Sequence, residues 1–276
     1  MGITAFGASL IQSGTAFLKE KRKAMFDPSL SVIEFGAQQL HHYPALPNGT
    51  LPFAHELYFE LGYKRYMSLD NEADFSKTGT HNVSFDLSCP ISKTTDTSSP
   101  FFMPQNQDRL IKPATLVTDF GTSEHMSGFS VTSIQGLNTK AAKDGSIPPE
   151  GVPVVFNGTK EQAFYYCTMR KILFCESGGL IISENPHTEH WTNLLHHPNC
   201  HHWFTEDFYP LLCEQLPFLH LIDSGTHYAM NNTVDGKEVF SVIAKHEDIR
   251  ASELISEALP FELFMERVYN KSIKPF

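Results

Sequence analysis

Carboxylates close one apolar segment after another in this chain. Glu34 ends SVIEFGA, Asp70 and Asn71 end KRYMSLDNE, and Asp86 with Leu87 ends HNVSFDLS. Asp119 ends ATLVTDF and Glu184 ends LIISENP. Two of these ends continue into histidine: Glu124 and His125 after Asp119, Gly121 and Thr122, and His187 and His190 after Glu184. A row of acids repels phosphate and accepts hydrogen bonds from hydroxyls and amines. An imidazole beside it titrates near neutral pH and can take a proton from a hydroxyl or an amine. Glu34-Phe35-Gly36 begins like a nucleotide-binding turn, but Ala37, Gln38 and Gln39 stand where a phosphate cradle would continue in glycine. One close backbone approach, at Gly36, suits a ligand without a pyrophosphate.

Such residues need a scaffold that brings strand ends together. Short apolar runs at 31–37, 64–72, 81–88, 114–126 and 180–186 read as strands, with helical periodicity at 51–63 and 160–179 between them. Gly62 reads as a stop for the first helix and Gly178-Gly179 as a stop for the second. The alternation implies a parallel sheet covered on both faces. The tail departs from it: FLHLIDSGTHYAM and KEVFSVIAKHE read as two strands joined across NNTVDG, with Asp235-Gly236 as the hairpin signal. FTEDFYPLL reads as a short helix capped by Thr205. The expectation is an α/β, Rossmann-like sheet of seven mostly parallel strands with an antiparallel terminal hairpin and helices on both faces. It forms one domain over 1–276, with a helical lead-in over 1–27. The Gly-, Pro- and Ser-rich stretch 128–160 reads as an insertion over the active-site edge.

Bulk properties exclude several classes. The 276 residues are 41% hydrophobic, which suits a globular core. No apolar run approaches the roughly 20 residues of a membrane span. The formal charge of −10 argues against a nucleic-acid substrate. The five cysteines are widely spaced without a CxxC, and the N-terminal stretch lacks the basic start of a signal peptide, so reduced thiols and a cytoplasmic location are expected. His187, His190, His196, His197, Cys200, His201 and His202 offer zinc-type ligands, but their spacing matches no closed zinc pattern, and no metal is expected.

The ordered series Glu34-x-Gly36, Asp70, Asp86-Leu87, DFGTSEHM, RKILFCESGGLIISENP and the hairpin over 218–246 resembles the class I S-adenosylmethionine-dependent methyltransferases, in a divergent bacterial or phage branch. The resemblance covers residues 28–247 and implies the strand order 3-2-1-4-5-7-6. It implies S-adenosylmethionine as cofactor, which the acidic rim also suits better than NAD or ATP. By position, Glu34, Gly36 and Gln38 meet its methionine portion, and Asp70 takes the ribose hydroxyls. Asn71, Asp86 and Leu87 border the adenine, and Asp119, Gly121 and Thr122 lie beneath the methyl group. His125 is then the general base, with Glu124 as second choice, and His187 and His190 face the substrate. The implied acceptor is an oxygen or nitrogen of a small molecule, a sugar among the candidates. Gln38, in place of the family's second glycine, leaves two other readings open: a scaffold that keeps the fold without turnover, and a zinc-dependent hydrolase built on the histidine stretch.

Overall fold

The computed structural model describes residues 2–24, 29–36, 39–40, 52–70, 82–84, 87–88, 91, 111–126, 158–189, 200–231 and 234–275; residues 24, 70, 82–84, 229–231, 234–235 and 275 are described by backbone alone. Seven strands form the main sheet: β1 (Ser31–Phe35), β2 (Arg65–Asp70), β3 (Asn82–Ser84), β4 (Ala114–Phe120), β5 (Cys175–Pro186), β7 (Leu219–Asn231) and β8 (Val234–Lys245). Their order is β3-β2-β1-β4-β5-β8-β7. The first five are parallel, and β8 is antiparallel to both β5 and β7. This is the α/β architecture and the strand order expected of the sequence.

The two-residue period of the strands sorts the core. Ile33, Phe35, Val117, Ile181 and Ile243 point to one face, where they pack under α3 (Lys160–Phe174), α4 (Phe208–Gln215) and a C-terminal helical segment, 251–272. Val32, Leu116, Phe120, Leu180, Ile182 and Val242 point to the other, under α1 (Ala5–Ala24) and α2 (Ala54–Glu60). All seven residues of β4 are buried, as a central strand covered twice requires.

Helix α1 lies against the sheet on two glycines one heptad apart. A Cβ on Gly7 would meet Glu184 Oε2 at 2.5 Å and Phe120 at 2.8 Å, and one on Gly14 would meet Ile182 Cδ1 at 2.8 Å. Helix α2 ends at Gly62 in paired closing bonds, from Tyr63 N–H to the Tyr58 carbonyl and from Gly62 N–H to the Phe59 carbonyl, each 3.0 Å. Helix α3 starts in a reciprocal capping box between Thr159 and Gln162.

Three local expectations are corrected. Helix α3 stops at Phe174, and the Gly178-Gly179 pair lies inside β5. There a Cβ on Gly179 would sit 2.7 Å from the Thr115 carbonyl oxygen, so close strand contact explains that glycine. Asp235 and Gly236 lie in β8, paired with Met230 and Ala229, because the ladder runs on to Asn231 and Val234. Helix α4 begins at Phe208 with Asp207 before it, not with Thr205 as cap, and Pro210 falls in its first turn. The chain's end is also structured: β9 (Ile273–Pro275) pairs antiparallel with β6 (His202–Phe204) in a separate two-stranded sheet. The stretch 128–157 lies outside the described residues. Among the described residues no helix is long and apolar enough to cross a membrane.

Candidate functional site

Strand order reverses between β1 and β4, and in open α/β sheets ligands bind outside the carboxyl ends at such a point. Both strands end there in a left-handed glycine, Gly36 (φ 79°) and Gly121 (φ 78°). Gly36 N–H donates to the Leu69 carbonyl of β2 at 2.8 Å, and Gly121 N–H to the Glu184 carbonyl of β5 at 3.0 Å. Thr122 Oγ1 spans the reversal, donating to the Phe35 carbonyl at 2.7 Å.

Glu34 takes its direction from strand parity. It shares a face with Val32, so its carboxylate turns toward the α2 layer, fully buried, where the Tyr66 hydroxyl donates to it. Burial, and after it the Glu34 charge, hold the Tyr58 and Tyr66 phenols well above their ordinary value. Asp70 ends β2 beside Leu69, one strand over from Gly36. Leu87 is buried in the other core, and its carbonyl accepts from Arg170 Nη1 at 2.8 Å. Gln38, Asn71, Asp86 and His190 lie outside the described residues.

Both oxygens of Asp119 are engaged within the protein. Lys171 Nζ donates to Oδ2 at 2.7 Å, Ser123 Oγ donates to the same oxygen, and the Thr122 and Ser123 amides donate to Oδ1 at 3.1 and 3.2 Å. Lys171 also donates to Ser123 Oγ at 2.9 Å. Burial alone would raise the Asp119 carboxyl; the Lys171 ammonium and these donors hold it below the ordinary range. The Lys171 ammonium is raised in turn, Asp119 outweighing its own burial. The node fixes the turn Ser123–His125, which carries the two residues expected to act on a substrate proton.

Of those two, His125 is one-third exposed and Glu124 is fully buried, with His125 Nε2 3.4 Å from Glu124 Oε1. Neither Glu124 oxygen accepts a hydrogen bond. Burial raises its carboxyl, with His125 pulling it down and Asp119 pushing it up. A second histidine–glutamate pair stands nearby. His227 Nε2 lies 2.9 Å from Glu184 Oε1, Thr4 Oγ1 contacts both Glu184 oxygens at 2.9 and 3.2 Å, and Phe6 stacks on the His227 ring with centroids 3.9 Å apart. Glu238, buried on β8 opposite His227, carries a carboxyl raised well above the usual range by burial and then by the Glu184 and Glu124 charges. Glu238 and His227 escape sequence reasoning because an acid and an imidazole in a hairpin read as its solvent face. The available signal was parity: Glu238 shares its face with Phe240 and Val242.

His187 is buried, and its Nδ1 accepts from the Glu189 amide at 3.0 Å, closing the turn after β5. Burial lowers its basicity. His202 is pinned twice: Nε2 is 2.6 Å from the Met126 carbonyl and Nδ1 is 2.9 Å from the Tyr269 hydroxyl. A carbonyl only accepts, so the proton sits on Nε2 and Tyr269 donates to Nδ1. Burial pushes His202 down to about 3, and the neutral ring ties the segment after β4 to the C-terminal helices. Among the described residues no three His, Cys, Asp or Glu side chains come together as metal ligands.

No protein-family model matches the sequence, and neither does any curated protein. Solved structures similar to this chain include the 1,6-didemethyltoxoflavin-N1-methyltransferase of Burkholderia thailandensis, bound to 1,6-didemethyltoxoflavin and S-adenosylhomocysteine. It is 12% identical, with 86% of this chain and 80% of that one covered and a TM-score of 0.40. The N-methyltransferase NodS of Bradyrhizobium japonicum is 10% identical, with 87% and 96% covered and a TM-score of 0.40. An S-adenosylmethionine-dependent methyltransferase of Anabaena variabilis is 12% identical, with 84% and 83% covered and a TM-score of 0.38. Identity at this level carries nothing about ligand or reaction.

Proposed function

We propose that the protein is a methyltransferase that uses S-adenosylmethionine to methylate an oxygen or nitrogen of a small molecule. The observation that carries the reading is Gly36: a left-handed glycine closing β1 at the reversal of a β3-β2-β1-β4-β5-β8-β7 sheet, with Asp70 ending the neighbouring parallel strand β2. The residues fit the cofactor's chemistry. Gly36 lets a ligand approach the backbone without a Cβ in the way. Carboxylates at the rim disfavour a phosphorylated ligand and tolerate a sulfonium. Gly36 and Gln38 would hold the methionine portion, Asp70 the ribose hydroxyls, and Asn71, Asp86 and Leu87 the adenine. Bound S-adenosylmethionine supplies an electrophilic methyl group. The chain's own part is to orient the acceptor and receive its proton at His125 Nδ1, with Glu124 behind the ring on the Nε2 side.

The test is calorimetry with S-adenosylmethionine and S-adenosylhomocysteine. Both should bind the wild type. Gly36→Val should weaken binding about tenfold or more, since a β-branched residue resists φ 79°. Binding of neither compound would overturn the reading. A second reading, a scaffold that keeps the fold without turnover, is favoured by one observation, the engagement of Asp119 by Lys171 and Ser123. It takes precedence in that outcome.

A further inference from the structure

Three buried glutamates meet at the carboxyl edge of β4 and β5, and only one of them is satisfied. Glu184 accepts from Thr4 and lies against His227 Nε2. Glu124 is completely buried, yet both its oxygens lack a hydrogen bond. Glu238 is nearly as buried; burial and then the Glu184 and Glu124 charges raise its carboxyl, the charge of the chain's amino terminus lowers it and that of Glu124, and no described side chain donates to it. Buried carboxyls are rarely left without donors, because an unmatched acceptor keeps its full desolvation cost. Here two of them converge beside the residues already assigned to proton transfer. The missing partner therefore has several N–H donors and a positive charge. A hydroxyl supplies one donor and no charge. A bare metal ion asks for a tighter ligand set than the described residues form.

We propose that Glu238 and Glu124, with the Glu184–His227 pair beside them, form a seat for the protonated amino group of a small-molecule amine. Charge-assisted N–H donation would satisfy the orphaned oxygens. His125, one-third exposed and 3.4 Å from Glu124, stands where such an amine would pass from solvent to carboxylate. As the seat of a methyl acceptor this inference rests on the methyltransferase reading, and it narrows the acceptor from oxygen or nitrogen to nitrogen. As an amine-binding site it stands apart from that reading.

The experiment is a thermal-shift and calorimetric titration of the full chain with propylammonium chloride. Propanol and sodium chloride at equal concentration serve as controls, each with and without S-adenosylhomocysteine. Propylammonium should bind saturably and raise the melting temperature where propanol and salt do not. Glu238→Gln and, separately, Glu124→Gln should weaken it about tenfold or more, since each removes one charge-assisted partner. Glu206→Gln, an exposed change outside the group, should leave it unaltered. Equal responses to propylammonium and propanol would overturn the proposal and leave buried, protonated acids only. So would an amine response unchanged in both glutamine variants. The two readings fail separately. S-adenosylhomocysteine binding without an amine response removes the amine seat and keeps the cofactor, whereas an amine response without S-adenosylhomocysteine binding does the reverse.

Discussion

Asp119, at the end of β4, and Glu124, in the turn that follows it, are both completely buried. Every oxygen of the first is bonded, and neither oxygen of the second is. Burial therefore does not separate structural from functional acids at this edge; satisfaction does. A carboxylate surrounded by an ammonium, a hydroxyl and two amides has nothing left to offer a ligand. A carboxyl with burial but no donors is held in a costly state that only the rest of the fold, or a partner, can offset.

The largest expected effect tests the satisfied member. Lys171→Met removes the ammonium and strands Asp119, with a predicted loss of about 3–5 kcal/mol in urea unfolding. Lys171→Met with Asp119→Asn should recover much of that loss, since no unpaired charge then remains. The corresponding change at the other member, Glu124→Gln, should cost less than about 1 kcal/mol or stabilise, because it breaks no hydrogen bond. Equal losses at the two sites would abolish the distinction.

An intermediate effect tests Glu184, the satisfied glutamate of the trio. Gly7→Ala places a methyl 2.5 Å from Glu184 Oε2 and 2.8 Å from the Phe120 ring. Either α1 lifts from the sheet or Glu184 leaves Thr4 and His227. The expected loss is about 1–3 kcal/mol. A change in the NMR chemical shifts of the His227 ring would show which of the two gives way. Unchanged stability and an unchanged His227 ring would mean that α1 is not held where the structure has it.

Much of the fold was legible because it follows from local pattern. Ile33 and Phe35 against Val32 announce a strand with two covered faces, Gly62 ends its helix, and the long hairpin over 219–245 keeps the two-residue period apart from a register shift between Leu221 and Asp223. The unread features are non-local. Lys171 in the middle of KEQAFYYCTMRKILF looks like a solvent-facing charge until its partner, 52 residues earlier, is placed beside it. The pairing of His202–Phe204 with Ile273–Pro275 joins two segments too short to signal strands. The turn signal of Asp235-Gly236 is overridden by a ladder that continues past it. At the site, the acid-ended strands and the Glu124–His125 pair were readable, and Glu184 was seen as a strand end. That Glu184 pairs with His227, and that Glu238 joins it, depends on β8 lying antiparallel beside β5, with Glu238 opposite Pro186.

The smallest effect is the most specific to the contrast, because the two kinds of acid depend on pH in opposite directions. Asp119 has its carboxyl lowered in the folded state, so its contribution is complete above the ordinary carboxylate range and disappears as pH falls through its depressed folded value. Glu238 has its carboxyl raised well above that range. The folded state then holds a proton that the unfolded chain releases, so stability is greatest below the unfolded value and declines as pH rises toward the raised folded one. Glu238→Gln removes that proton linkage and the repulsion from Glu184 and Glu124. Measured without amine, the variant should match the wild type in acid and exceed it near neutrality by on the order of 1 kcal/mol. A variant less stable than wild type at neutral pH would mean that Glu238 already has its partner within the fold, and would place it with Asp119 among the satisfied acids.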